Sequence, residues 1–483
     1  MFVCATCEWR LSGETCEADL LRMYCPDAFQ TAQAQTDHHW CSLCLGLLQH
    51  RFVATMLEQL ERELGQGVND AEQFSVVSSV PVNCLVRDYF LAPAAPHAPQ
   101  PNSIKDTLRR VMKFLLEQLF AKIGHKKRHV PRCDFLLTLW FTHAQEMADC
   151  SHVRLLQPRC FQQKLPRASK RDARQNGTGQ TGVFSRQAVE EALLRLGKGG
   201  HAPCPPPDDL LSPVQDPPSM RLGLTRDTLY LAGRYCKYSR YMSQSPWFVA
   251  YGVRDESVEC VEDVLCPPAR ELAQSPKCTL LCSGREDMDV RMLGGGRPFI
   301  MALDNPRKAK LTSQHLAQLQ QCINAASCDV RVLELQLACA SDCGVLKTGE
   351  ESKRKRYAAL CVADQPVTDH MIQAINQKGA AEFVIRQRTP LRVLHRRALA
   401  ERERSVHSMS ALRTGPRQFQ LTLWTQAGTY VKEFVHGDLG RTRPNLGELM
   451  GVPQVDILEL DVLEVGLDWP PSKGGGKKRK KGD

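Results

Sequence analysis

An α+β chain with two folded parts is what this sequence predicts, and three features predict it. Apolar residues recur at helical spacing in some stretches and at strand spacing in others. One long segment rich in Pro, Gly and Asp separates two such regions. With 483 residues, 42% of them apolar, there is material for two or three hydrophobic cores.

In order along the chain, helical and strand signals alternate through residues 1–197. Phe52, Met56, Leu57, Leu60 and Leu64 fall on one helical face, as do Leu108, Val111, Leu115 and Leu119, and FLLTLWF at 135–141 reads as a buried strand. The stretch GKGGHAPCPPPDDLLSPVQDPPSM (197–220) suits neither element, so residues 198–220 are expected to be a linker. Strands predominate over 221–470, among them TLYLAGRYCKY, RPFIMAL and QFQLTLWTQAG, with helices expected at 313–325 and 368–378. Residues 471–483 read as a basic tail. Its KKRKK (477–481) is solvated by default and has a nuclear-import signal as its functional alternative.

The formal net charge of +10 and the pI near 8.7 favour an acidic partner such as nucleic acid. No apolar run is long enough to span a membrane, and MFVCATCEWR lacks the apolar segment of a signal peptide. A location in the nucleus or cytoplasm, with no membrane partner, is therefore expected. The 21 cysteines are odd in number and, in a reducing compartment, point to buried thiols plus one metal site. Cys4-x-x-Cys7 and Cys41-x-x-Cys44 have the spacing that lets paired sulfurs share one tetrahedral zinc, with His38 and His39 as alternative ligands. Unliganded or redox-active thiols are the competing readings. A closed four-ligand site leaves no position for substrate, so the single Zn2+ is expected to be structural.

Residues 283–299, SGREDMDVRMLGGGRPF, place carboxylates between arginines; alone, this would read as a solvated turn. Its companions alter that reading. KRKRYAAL (353–360) sets Tyr357 after four cations, RQRTPLRVLHRR (386–397) is arginine-rich, and TQAGTYVKEFVHGDLGRTRPNLGELM (425–450) carries Lys432, His436, Arg441 and Arg443. Such residues contact phosphates and stack on unpaired bases. A carboxylate among them suits glycosidic chemistry on a nucleotide, because a carboxylate stabilises or traps the oxocarbenium-like carbon 1.

GRED resembles the Gly-Arg-x-Asp of RNA pseudouridine synthases. AGRYCKYSR, SGREDMDVRMLGGGRPF, QRTPLRVLHRR and AGTYVKEFVHGDLGRTRPN resemble the tRNA pseudouridine synthase 10 family over nearly all of 221–470. CATC and CSLCLGLL are similar to that family's zinc ligands, and the N-terminal half resembles its THUMP-containing RNA-binding domain more loosely. A basic, Gly-containing loop at 161–181 departs from the family pattern.

The resemblance implies a C-terminal pseudouridine synthase fold, a mixed and largely antiparallel sheet flanked by helices, over 221–470. It also implies a zinc-containing α/β THUMP-type domain over 1–197 with Cys4, Cys7, Cys41 and Cys44 as ligands. The implied activity is isomerisation of uridine to pseudouridine in the tRNA T-loop, at positions 54 and 55, by a monomer that binds the T-arm and needs no organic cofactor, since the reaction exchanges a C–N for a C–C bond. Other structured RNAs stay open as partners. Asp287 is the implied nucleophile, Arg285 helps to splay the nucleotide, Tyr357 stacks on the uracil and assists proton transfer, and Lys432 pairs with Asp287. Val431 and Leu460 are the expected apolar walls, and Arg297, Arg392 and His395 the further substrate contacts.

Asp289 is the rival nucleophile, since alternation in an extended segment would put it on the same face as Asp287. Glycines 294–296 lack a Walker lysine and a following helix and are expected to form a mobile bend. His395 and His436 read as structural or RNA-facing rather than as general bases, while Tyr235 and Tyr238 are left between strand packing and RNA contact. An RNA-binding scaffold without turnover is the alternative function. A zinc-dependent base deaminase is disfavoured because no His-x-Glu precedes a Pro-Cys-x-x-Cys.

Overall fold

The computed structural model describes residues 2–25, 39–65, 69–92, 102–161, 184–198, 205–248, 253–395 and 397–471. His38, nearly all of the basic loop expected at 161–181 and the tail beyond Pro471 lie outside these residues. The chain divides into two compact units, Met1–Arg226 and Asp227–Asp483.

In the N-terminal unit, β1 (Gln73–Ser79), β2 (Arg128–His129), β3 (Phe135–Thr142) and β4 (Ser219–Arg226) form a sheet in the order β2-β1-β3-β4. β1 is parallel to both β2 and β3, and β4 is antiparallel to β3. The two expected amphipathic helices are His50–Gly65 and Ile104–Lys122, and each buries the apolar face read from its spacing. Only one face of β3 is fully covered, with Phe135, Leu137, Leu139 and Phe141 buried and Trp140 exposed. Helices Asn83–Leu91 and Glu146–Leu156 are joined by a buried Arg87–Asp149 ion pair at 2.6 Å.

The expected linker is corrected here. Residues 219–226 pair along the whole of β3, so the chain leaves the N-terminal unit after Arg226 and not across 198–220. The prolines of that stretch end before the strand begins, and Met220, Leu222 and Leu224 pack against the N-terminal core.

The C-terminal unit contains β5 (Leu229–Lys237), β6 (Lys277–Cys282), β7 (Val290–Asp304), β8 (Val330–Ala338), β9 (Lys355–Ala363), β10 (Phe383–Arg388), β11 (Glu401–Arg413), β12 (Gln418–Thr425), β13 (Thr442–Arg443) and β14 (Val455–Val465). Their order is β13-β10-β11-β12-β9-β14-β7-β5-β8, with β6 also paired to β7. Pairing is antiparallel except where β14 runs parallel to β7. The helices expected at 313–325 and 368–378 are Ser313–Ala326 and Asp369–Gly379, N-capped by Thr312 and Thr368.

The glycines at 294–296 are a packed bulge inside β7, not a mobile bend. Tyr235 pairs with Arg297 and Lys237 with Met292, so β7 carries extra residues opposite β5. Gly294 and Gly296 have φ of +60° and +73°, and a Cβ on them would lie 2.1 Å from the Leu463 carbonyl oxygen and 2.7 Å from that of Tyr235. Only hydrogen fits both positions.

Candidate active site

The segment carrying Asp287 leaves β6 at Ser283, runs without regular structure to Asp287, and turns into β7 with the Val290 amide donating to the Asp287 carbonyl at 3.1 Å. It is therefore not extended, and the alternation argument for Asp287 and Asp289 does not apply. Polar side chains from β5 and the residues just after it capture its carbonyl oxygens. Lys237 is fully buried, and its Nζ donates to the carbonyls of Met242, Asp287 and Met288 at 2.7, 3.2 and 2.8 Å. Arg240 donates to Asp289 O at 3.0 Å and Gln244 to Gly284 O at 3.0 Å. Backbone that has left a sheet needs such partners when it is shielded from water.

Beneath the segment lies a second set of charges. Glu286 is buried and accepts from Arg297 Nε and Tyr235 Oη, both at 2.7 Å, while Arg297 Nη1 donates to Ser283 O at 2.8 Å. Arg297 thus supports the segment from the interior. This corrects its expected role, because a guanidinium that is 1% exposed does not reach an RNA phosphate. The bulge in β7 directly precedes it. Tyr235 is likewise interior packing, whereas Tyr238 is exposed.

The Asp287 side chain itself is 41% exposed. Its Oδ2 lies 3.1 Å from Arg392 Nη1 and 3.7 Å from Lys432 Nζ. Lys432 is closer to Asp289, at 2.8 and 2.6 Å from its two oxygens. The expected Lys432–Asp287 pair is thus the longer of two contacts, and among the described residues Arg392 is the nearest cation to the Asp287 carboxylate. Burial raises the Asp289 carboxyl, but the Lys432 hydrogen bond and charge more than offset it and hold the group below the usual carboxylate range. Burial pushes Lys237 down to about 8, against the pull of Glu286, Asp289 and Asp287.

Tyr357 sits on β9 between Leu423 of β12 and Val462 of β14. Burial pushes its phenol up to about 12, with Arg297 opposing and Glu286 and Asp287 adding to the shift. Val431 is buried at the start of helix Val431–His436, and Leu460 is buried on β14 opposite Val290 and Ala359. Gln387 fixes the start of that helix by bonding both the N–H and the carbonyl of Tyr430, each at 2.9 Å. Arg285 and His395 are exposed, and no contact joins either to Asp287 among the described residues.

Lys237, Arg240, Gln244, Glu286 and Glu433 were not singled out from the sequence. The available signal was a lysine inside the apolar strand LYLAGRYCK and an arginine ahead of the apolar run PFIMAL, both of which need interior partners.

In the N-terminal unit, the sulfurs of Cys4, Cys7, Cys41 and Cys44 all lie within 4.8 Å of one another, and all four residues are buried. Cys4 Sγ and Cys44 Sγ are 3.8 Å apart. Zinc–sulfur bonds of about 2.3 Å place the corners of a tetrahedron roughly 3.8 Å apart, so the cluster fits one zinc. Every described cysteine is a free thiol, so no disulfide competes for these sulfurs.

Two family descriptions match the chain: Pus10, C-terminal, over residues 230–466, and Eukaryotic Pus10, N-terminal, over residues 41–210. The tRNA pseudouridine synthase Pus10 of Homo sapiens is 35% identical over 460 residues, covering 92% of this chain and 81% of that protein. That of Thermofilum pendens is 36% identical over 240 residues, or 49% of this chain and 52% of the relative. A chain of a crystallised Cbf5-Nop10-Gar1 complex is 18% identical, with a TM-score of 0.26 over 48% of this chain and 47% of that one, a likeness too slight to bear on the site. The relatives carry the name of one enzyme class, the tRNA pseudouridine synthases. Within that class, the chain belongs to the Pus10 family.

Proposed function

We propose that this chain, an enzyme of the tRNA pseudouridine synthase class, isomerises uridine to pseudouridine at positions 54 and 55 of the tRNA T-loop with Asp287 as nucleophile. The observation that carries the reading is the setting of Asp287. Its carboxylate is half-exposed and bracketed by Arg392 and Lys432, while Lys237 and Arg240 brace the backbone around it. Glu286, the adjacent acid, is buried against Arg297 and out of reach of any substrate.

The reaction needs the target nucleotide out of its stack. Arg285, exposed two residues before Asp287, contacts the splayed backbone. Tyr357 stacks on the uracil, and Val431 and Leu460 back the base on its apolar sides. An Asp287 oxygen bonds to C1′ as the N1–C1′ bond breaks and its electron pair leaves with the uracil. After the base turns, C5 bonds to C1′ and the carboxylate departs. C5 then loses its proton and N1 gains one, so no electrons are exchanged with a cofactor. With its phenol pushed up to about 12, Tyr357 is protonated at neutral pH and acts there as a hydrogen-bond donor. The N-terminal unit, cross-linked by zinc at its four cysteines, serves as a THUMP-type grip on the tRNA body.

Incubating the purified chain with an unmodified tRNA transcript and mapping pseudouridine by carbodiimide primer extension tests this. Stops at 54 and 55 are expected. Pseudouridine outside the T-loop alone would overturn the site assignment, and none at all would overturn the activity.

A further inference from the structure

We propose that Glu433 is a positioning residue for the isomerisation, acting through Arg392 to fix which oxygen of Asp287 meets the substrate. This rests on Asp287 being the nucleophile. The Glu433 side chain is 2% exposed, and its Oε1 accepts from Arg392 Nε at 2.7 Å. The same guanidinium places Nη1 at 3.1 Å from Asp287 Oδ2. One arginine therefore spans a buried acid and a half-exposed one.

Three observations make this more than a packing contact. Glu433 Oε2 is buried and has no hydrogen-bond partner among the described residues, so the carboxylate is a poor choice for filling space. Its ionic partner among the described residues is Arg392. The two elements also differ in how firmly they are held. Gln387 pins the start of the Glu433 helix, whereas Arg392 sits in the single 3-10 turn Leu391–Val393, where Val393 is buried but Leu391 and the following Leu394 are exposed. That segment is tied down by the Leu391 amide on Asp438 Oδ2 at 3.2 Å and by Arg441 on Thr389 O at 2.7 Å.

A long, flexible side chain that is 40% exposed has many rotamers, and a charged anchor on Nε selects the one that aims Nη1 at Asp287. Both cations near Asp287 make their shortest approach to Oδ2, Arg392 at 3.1 Å and Lys432 at 3.7 Å, which leaves Oδ1 the less engaged oxygen. Oδ1 is then the oxygen presented to C1′, and Glu433 keeps it so.

The test compares Glu433→Met, Glu433→Gln, Arg392→Met and the Glu433→Met/Arg392→Met double variant in the full chain, with Asp287→Asn as control. Single-turnover pseudouridine formation at saturating tRNA transcript, the transcript's Kd and the melting temperature are measured for each. Glu433→Met is expected to slow the reaction about a hundred-fold, the scale of a misplaced reacting group, with Kd within about threefold of wild type. Glu433→Gln keeps an acceptor for Nε and should recover most of the rate. The double variant should be no slower than Arg392→Met alone, as required if Glu433 acts only through Arg392.

A normal rate in Glu433→Met, a loss confined to Kd, or full additivity in the double variant overturns the proposal. Should Glu433→Met not fold, Glu433→Ala with and without Arg392→Met gives the same cycle, and full additivity there overturns it equally. Activity retained in Asp287→Asn would instead remove the reading on which the proposal rests.

Discussion

The four-sulfur cluster and the Asp287 segment each gather reactive groups, yet they are assembled in opposite ways. The sulfurs come from two short local pairs, all are buried, and all point at one another. Asp287 is half-exposed, its flanking cations come from segments distant in sequence, and the contacts that fix it fall largely on backbone carbonyls. A closed cluster holds a fold together. A braced but open one is ready for something to arrive.

The sharpest test of that contrast is at the open site. Asp287→Asn should bind tRNA normally and lose at least about a thousand-fold in single-turnover rate. Asp289→Asn should lose no more than about tenfold, because it anchors Lys432 and leaves Arg392 on Asp287. Comparable losses in the two variants would dissolve the distinction between the acids.

At the closed site, replacing Cys4 and Cys7 together by Ser should remove the metal and the folding free energy coupled to it. Elemental analysis should fall from about one zinc per chain to background, with an early unfolding transition in calorimetry. Wild-type protein purified under reducing conditions without zinc would break the comparison from that side.

A smaller, graded effect is expected at Lys237. Above about pH 8 the buried ammonium loses its proton and one of three donors, so the rate should decline there, and Lys237→Arg should flatten the decline. Unfolding does not account for such a loss. The folded chain releases this proton near 8, while the unfolded chain holds it to the ordinary lysine value, so this residue's contribution to stability rises with pH across that window. A pH profile unchanged by the substitution would show that the brace works without its charge.

The smallest effect is at Arg285, where substitution by Ala should raise the Kd for tRNA a few-fold. It should also reduce the slope of log affinity against log salt by about one. An unchanged slope would leave Arg285 out of the phosphate contacts.

What was legible in the sequence followed from local rules. The two Cys-x-x-Cys pairs carry their geometry in their spacing, and the helices His50–Gly65 and Ile104–Lys122 in their period. The role of Arg297 was not legible, since nothing local says that the bulge in β7 precedes an arginine whose partner, Glu286, lies in the interior. The same holds for Arg392 and Glu433, which meet through a fold of the chain and not through a motif. Strand β4 was assigned to the wrong side of the boundary because a Pro-rich stretch ends without signalling which sheet the next strand joins.

The bracing of the Asp287 segment has a consequence for how the gene can drift. Lys237 grips the carbonyl oxygens of Asp287 and Met288, Arg240 that of Asp289, and Gln244 that of Gly284. Every residue type has the same carbonyl, so these grips do not read the side chain at 288. A gripping side chain can be exchanged only for one that carries the same charge and still reaches the same carbonyls. Substitutions should therefore be tolerated at Met288 and, where they lose these bonds, rejected at Lys237, Arg240 and Gln244, placing the strictest constraint on residues that act through the backbone they hold.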